Sequence, residues 1–417
     1  MLAILLIWLY IFIVTSVAGL LLKFSLFNTS KFQESPIILS VTGYCLITGL
    51  LSIISLFFKI SLEANVFILL LEILGIVFYK KQFIESFNIY LSKLKSLTSR
   101  QYLVFFVVVF NVLLLNIKSV HTDSDTGLYH AQAIQWIEKY PVVPGLANLF
   151  ANYGFNSSSF ISDAFFSFTF IHNFSYFALN SFFVLILVLF GISNIKKEDN
   201  NYLIYIILII LNYFYYRGDM SLPFPDILIS CTETFIFFVF LEKIKEKSLN
   251  QFDFKSVAIT FLSLTCITGK LSALPVILSL LLVIIYSFSN LKMKQWLIIF
   301  STGFFIVVPW LIRNIITSGY LIFPYPSIDL FNVDWKVPLS EALIAKSWIV
   351  SHARVFVQMD VFNMSFAEWF PIWLRNQNKI DLLLLLISIS GMSLFFITTL
   401  LSKPIRKKLS RLFFILD

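Results

Sequence analysis

Apolar runs of about twenty residues recur from one end of this chain to the other, and that feature restricts it to one class of fold. Crossing a bilayer core as a helix takes roughly 20 predominantly apolar residues. Backbone in hydrocarbon must pair its own N–H and C=O groups, which leaves helices or closed barrels. Of 417 residues, 59% are hydrophobic and 13% charged, far from the balance of a soluble domain. The sequence predicts an all-α polytopic membrane protein with no large soluble domain. Spans are expected at 2–22, 36–58, 64–79, 102–117, 176–192, 201–216, 225–242, 256–269, 271–289, 296–317 and 380–402, about eleven transmembrane helices. The segments 64–79 and 256–269 are short for a crossing, so tilt, local thinning or a re-entrant turn is expected there.

Basic residues in short loops set orientation. The connection 80–101 carries Lys80, Lys81, Lys93, Lys95 and Arg100, and 243–255 carries Lys243, Lys245, Lys247 and Lys255. With both cytoplasmic and the helices alternating, Lys196, Lys292 and the tail from Lys403 to Arg411 fall on the same side. The net charge of +8 is thus read as topology, not as a nucleic-acid surface. The N-terminus is expected outside and the C-terminus inside. Leu2 opens the first apolar run with no basic residue before it, so that run reads as a helix, not a cleavable signal. The expected organisation is 1–101, N-terminal helices; 102–317, a transmembrane core with an outer loop at 118–175; 318–379, a second outer loop; and 380–417, a last span with a basic tail. The closing RLFFILD begins another apolar run, so the native chain is expected to continue past Asp417. Cys45, Cys231 and Cys266 sit inside apolar runs without metal-like spacing and read as core residues.

This sidedness sends four polar segments to one face: HTDSDTGLYHAQAIQWIEKY from His121, RGDMSLPFPD from Arg217, TGKLSALP from Thr268, and LIRNIITSGYLIFPYPSIDLF from Leu311. Each joins an apolar run to a loop punctuated by Pro or Gly, where irregular backbone can line a cavity. Asp123 and Asp125 follow a span, where a carboxylate can meet a water-borne hydroxyl as a general base. Capping of the helix that starts near Thr126 is the competing reading. The Asp-x-Asp spacing also suits Mg²⁺ or Mn²⁺, provided further oxygens complete the shell. His130 and His121 match no zinc pattern. Lys270, Arg217 and Arg313 are the basic residues nearest the outer helix ends, and Arg grips phosphate oxygens with two hydrogen bonds. For the arginines, snorkelling toward headgroups is the alternative. Lys270 lies between two apolar runs, where a casual lysine is unfavourable. Asp226 opens a helix after Pro225 and reads equally as a cap. Aromatics from Tyr320 onward read either as an interfacial belt or as a stacking wall for a sugar.

DTGLYHAQAIQWI, with Asp125 four residues before Tyr129, resembles the first outer-loop motif of type C (GT-C) integral-membrane glycosyltransferases. Together with VPGLANLFANYGFNSS, PFPDIL, GKLSALP and RNIITSGYLIFPYPS, it is similar to a family of bacterial membrane proteins tied to cell-surface polysaccharide synthesis. The resemblance covers residues 100 to 340 or so. It implies a GT-C-like helix arrangement, amphipathic helices in the first outer loop, and residence in the bacterial plasma membrane. It also implies a polyprenyl-phosphate-linked sugar donor and a glycan or lipid-linked acceptor among membrane lipids, with no nucleic-acid partner. Asp125 is then the counterpart of the leading acidic residue. Thr126 stands where many members have Glu, so Asp123 takes the second carboxylate's place, which leaves metal use open. Tyr129, His130, Arg217, Asp226, Lys270, Arg313, Asn314 and Tyr325 are the implied substrate-binding residues. A polysaccharide polymerase, a lipid-linked glycan flippase, which would hold polar groups near the midplane, and a non-catalytic binding scaffold are the competing functions.

Overall fold

A computed structural model describes residues 1–27, 34–118, 125–172, 175–195, 202–355, 361–383, 385–386 and 389–390. Among them every regular element is helical. The α-helices are α1 (Leu2–Phe27), α2 (Pro36–Ile54), α3 (Leu62–Phe78), α4 (Lys80–Lys95), α5 (Ser99–Lys118), α6 (Ala131–Lys139), α7 (Ser158–Phe166), α8 (Thr169–His172), α9 (Leu179–Ser193), α10 (Tyr202–Tyr216), α11 (Pro225–Lys245), α12 (Phe254–Gly269), α13 (Ile277–Ser287), α14 (Met293–Ser318), α15 (Leu339–Arg354) and α16 (Phe366–Asn376). Five helical stretches are long and apolar enough to cross a membrane: α1, α2, α5, Leu271–Asn290 and α14. A sixth is gained if α3 and α4, bent by 96° at Tyr79, count as one. The chain is a multi-pass helical membrane protein by that measure. α7 with α8, α9 and α12 are apolar but shorter.

The connection 80–101, read from sequence as a basic loop, is largely helix. The apolar run ends at Tyr79, and α4 continues with polar and charged residues such as Lys80, Glu85 and Lys93 on an exposed surface. A helix with that composition cannot follow α3 into hydrocarbon, which accounts for the bend.

Helix boundaries follow local chemistry. Pro36 opens α2 and the Ser35 hydroxyl accepts from the Ile37 N–H. Pro225 and Asp226 open α11, and Lys243 and Lys245 close it, each charge matched to its end of the helix dipole. The Asp253 carboxylate caps α12 by accepting from the Ser256 N–H at 3.0 Å.

The chain divides into two compact units. The first holds Met1–Val143, Asn156–Val283 and Asn290–Arg313. Its tightest seam is α1 against α2. An added Cβ on Gly43 would lie 1.8 Å from the Thr15 carbonyl oxygen, and one on Gly19 would lie 2.0 Å from that of Leu39. Thr15 and Ser40 share a hydroxyl hydrogen bond of 2.6 Å in the same seam. In a bilayer, where lipid is as apolar as leucine, such close backbone approach supplies the association energy. α2 is buried along most of its length and also meets α7 and α12.

One end of this unit is tied by ion pairs. Lys243 donates to the Asp253 carboxylate at 2.8 Å, and Lys255 reaches Glu242 at 3.0 Å and Glu246 at 2.5 Å. Burial raises the Glu34 carboxyl above its ordinary value, and Lys255 pulls it back. Two lysines read from sequence as loop charges are therefore buried ion-pair partners. The Lys294 ammonium donates to the Leu26 carbonyl, joining the α14 start to the α1 end.

The second unit holds Pro144–Phe155, Ile284–Ser289 and the chain from Asn314. Its core gathers Ala147, Tyr320, Phe323, Val337, Ala342 and Ala345. The Tyr320 hydroxyl donates to the Val337 carbonyl at 3.0 Å. Gly319 takes a φ of 80°, the left-handed geometry that ends α14.

Gly43→Val is expected to lower stability by about 2 kcal/mol or more, because the α1–α2 backbones must separate. Gly303→Ala, with nothing within 4 Å of the added methyl, is expected to stay within about 1 kcal/mol. Thermal unfolding of the detergent-solubilised protein checks both.

Candidate functional site

The residues Asn156, Ser157 and Ser158, just where α7 begins, connect α7 to two other helices, α12 and α14. Asn156 Nδ2 donates to the Trp310 carbonyl at 3.0 Å, and Trp310 Nε1 donates back to the Asn156 carbonyl at 2.6 Å. The Ser157 hydroxyl donates to the Gly269 carbonyl at 2.7 Å, and the Ser158 and Thr268 hydroxyls share a bond of 3.0 Å. The Ser157 hydroxyl thereby satisfies a carbonyl at the end of α12 that an apolar surround would leave unpaired.

Arg313 belongs to the same network. It is buried, with Nε donating to Asn156 Oδ1 at 3.0 Å and a terminal nitrogen donating to the Ser55 hydroxyl at 2.7 Å. Ser55 closes α2, so the arginine joins α14, α7 and α2. Its guanidinium is turned into protein, which is not the snorkelling geometry.

Next to this network, the Lys270 ammonium pairs with the Asp226 carboxylate. Asp226 stands in the first turn of α11, and Lys270 is the extended residue that ends α12. The side chains are 36% and 41% exposed respectively, so the pair is open to water and worth about 1 kcal/mol or less. The segment leading to Asp226 is held by Asn180 at the start of α9, whose amide donates to the Leu222 and Phe224 carbonyls at 2.7 and 2.9 Å.

The opening motif arrives at the same place. Thr126–His130 form a π-helical turn leading into α6, with Asp125 as its helical N-cap residue making no side-chain cap bond. The first-turn cap predicted as the alternative role for Asp125 is thus not the bond formed. His130 is buried, its ring centroid 5.5 Å from Phe224, 5.2 Å from Phe160 and 4.3 Å from Tyr129. Asp125 and Tyr129 are half-buried. At the end of α5, Asn116 donates to the Ser181 hydroxyl of α9 at 2.9 Å.

These bonds join the C-terminal ends of α2, α5, α12 and α14 to the N-terminal ends of α7, α9 and α11.

The other sequence-derived residues lie as follows. Arg217 is exposed in the turn after α10. Asn314 and Tyr325 belong to the second unit: the Asn314 amide donates to the Leu321 carbonyl, and the Lys346 ammonium lies 5.7 Å from the Tyr325 ring. Asp123, with His121, lies outside the described residues. Among the described residues no group of three His, Cys, Asp or Glu side chains is gathered to hold a metal.

Sequence reading missed the joining role of Asn156–Ser158, although NSSS at the head of an apolar helix is an N-cap signature. It also missed Glu138, which accepts from the Thr169 hydroxyl at 2.6 Å and the Ser175 hydroxyl at 3.3 Å, and the buried Asp163 on α7. A carboxylate within FISDAFF is itself a signal, since charge in an apolar run needs a reason.

A model of the domain of unknown function DUF8201 matches residues 1–416, and the chain belongs to that family. No curated protein and no solved structure matches it.

Asn156→Ala removes one acceptor from a buried guanidinium and is expected to cost about 2–4 kcal/mol of stability. Arg313→Met in that background is expected to recover part of the loss, because the poorly paired charge is gone. Unfolding curves for both variants decide it.

Proposed function

We propose that this member of the family transfers a sugar from a polyprenyl-phosphate donor to an acceptor hydroxyl at the outer face of the plasma membrane, in surface glycan synthesis. The reading takes the chain as a GT-C-like bundle of about eleven spans, with the N-terminus outside and the C-terminus in the cytoplasm. The observation that carries it is the contact of the His130 ring, in the turn after Asp125, with Phe224, two residues before the water-open Asp226–Lys270 pair. A lipid-borne donor and a water-borne acceptor need such a boundary.

In this mechanism Asp125 accepts the proton of the acceptor hydroxyl as its oxygen attacks the anomeric carbon. The bond from that carbon to the phosphate oxygen breaks, its electron pair leaves with polyprenyl phosphate, and the anomer inverts. The departing phosphate gains one negative charge, and stabilising that charge is the main electrostatic task. Lys270 suits it, because a water-open pair with Asp226 is weak enough for the ammonium to be shared with an incoming phosphate. Arg217, exposed near the same face, is the second cation of this reading. Arg313, committed to Asn156 and Ser55, holds the frame. Tyr129 and the Asp226 carboxylate are assigned to sugar hydroxyls, and His130 orients the turn through its ring contacts.

Asp125→Asn is expected to reduce transfer by at least about 100-fold, the scale of general-base catalysis. The mass of the cell-surface glycan, compared with wild type and a deletion at matched protein level, checks it. An intact glycan in the variant alongside a loss in the deletion overturns the base assignment and favours a binding scaffold. If chelation abolishes transfer and Mn²⁺ restores it, Asp123 and Asp125 are metal ligands; transfer that survives chelation leaves Asp125 as the base.

A further inference from the structure

Within the second unit, α16 is built unlike the helices around it. Its sequence, FAEWFPIWLRN, puts Phe366, Trp369, Phe370 and Trp373 at i, i+3, i+4 and i+7, a single stripe on a helix. Three of the four rings form a ladder: Phe366 on Phe370 at 4.7 Å and Phe370 on Trp373 at 5.6 Å, each tilted by only 18°. No residue of α16 is buried, and Phe366 is 63% exposed. The opposite face carries Glu368 and Arg375.

The helix is nonetheless firmly started. Ser365 and Glu368 form a capping box. The Arg354 guanidinium donates to the Val361, Phe362 and Met364 carbonyls at 3.0, 2.9 and 3.3 Å and lies 5.3 Å from the Trp369 ring. An aromatic stripe is thus held in place with Phe366 exposed and Trp369, Phe370 and Trp373 only partly covered.

Sequence says what covers it. Four residues after Asn376, the run IDLLLLLISISGMSLFFITTLLS begins at Ile380, long enough to cross a bilayer. By sequence, the chain is therefore expected to enter lipid just after α16. Tryptophan is enriched at that depth, where its ring prefers the headgroup boundary to either bulk phase. Arg375 and Lys379, both exposed, are placed to meet lipid phosphates.

We infer that α16 lies in the plane of the membrane–water interface, with the Phe366–Trp373 stripe buried among lipid headgroups and upper acyl chains. Its occupant is the bilayer itself, not a protein partner. The inference rests on the membrane class of the chain and not on the transferase reading.

The experiment uses the full chain in vesicles of phosphatidylethanolamine and phosphatidylglycerol. Cys45, Cys231 and Cys266 are each 0% exposed, so a bimane reagent reaches chiefly an introduced thiol. Phe370→Cys reports the stripe and Arg375→Cys the opposite face. The expected result is blue-shifted emission at 370, with quenching by a shallow lipid nitroxide about twofold stronger than by a deep one. The label at 375 is expected to be quenched by aqueous iodide. Iodide quenching at 370, or protection there from both iodide and lipid nitroxide, overturns the inference; the second result indicates a protein partner. A Phe370→Cys chain that unfolds is replaced by Phe366→Cys on the same stripe, read the same way.

Discussion

The hydrogen bonds made by Asn156, Ser157 and Ser158 are the point on which the first unit turns. A helix that stops inside an apolar bundle strands carbonyls and N–H groups, and no water is at hand to take them. Here α12 stops at Gly269 and α7 begins at Ser158, and each end supplies partners for the other. Because these ends are satisfied by short side chains, the chain can break regular structure at one level and leave Lys270 extended and open. The candidate site exists because those breaks are tolerated.

Charge in this protein divides by environment. Arg313 and the lysines at 243 and 255 are buried and committed to protein acceptors, while Lys270 shares Asp226 with water. A buried ion pair is hard to open, since separating it leaves a charge without compensation. A water-open pair exchanges partners readily. This contrast separates cations that hold the frame from one able to take an anionic ligand.

How much of this could be read from sequence depends on whether a feature is local. Of the expected spans, those at α1, α2, α5, Leu271–Asn290 and α14 were legible as apolar runs, and Pro225 with Asp226 marked the α11 start correctly. The convergence of PFPD with TGK followed from sidedness alone. The depth of Arg313 was not legible, because its partners Asn156 and Ser55 are 157 and 258 residues away. Helix α4 was missed for another reason: basic residues were read as loop, although Lys, Gln and Glu are good helix formers. The shortness of α12 was legible, since 256–269 was read as short for a crossing and the helix runs from Phe254 to Gly269.

The glycine seam between α1 and α2 bears on the order of assembly. These helices are neighbours in sequence, joined across few residues, and their contact needs nothing from the later chain. Pairings with short separation close first, and synthesis delivers the N-terminal pair ahead of every partner. The hairpin is thus a template already in place when α7, α9 and α12 emerge, and the buried face of α2 is the surface onto which α7 and α12 are laid. A defect at Gly19 or Gly43 would then be felt during biogenesis, as failed insertion or degradation, before any mature protein existed to be tested.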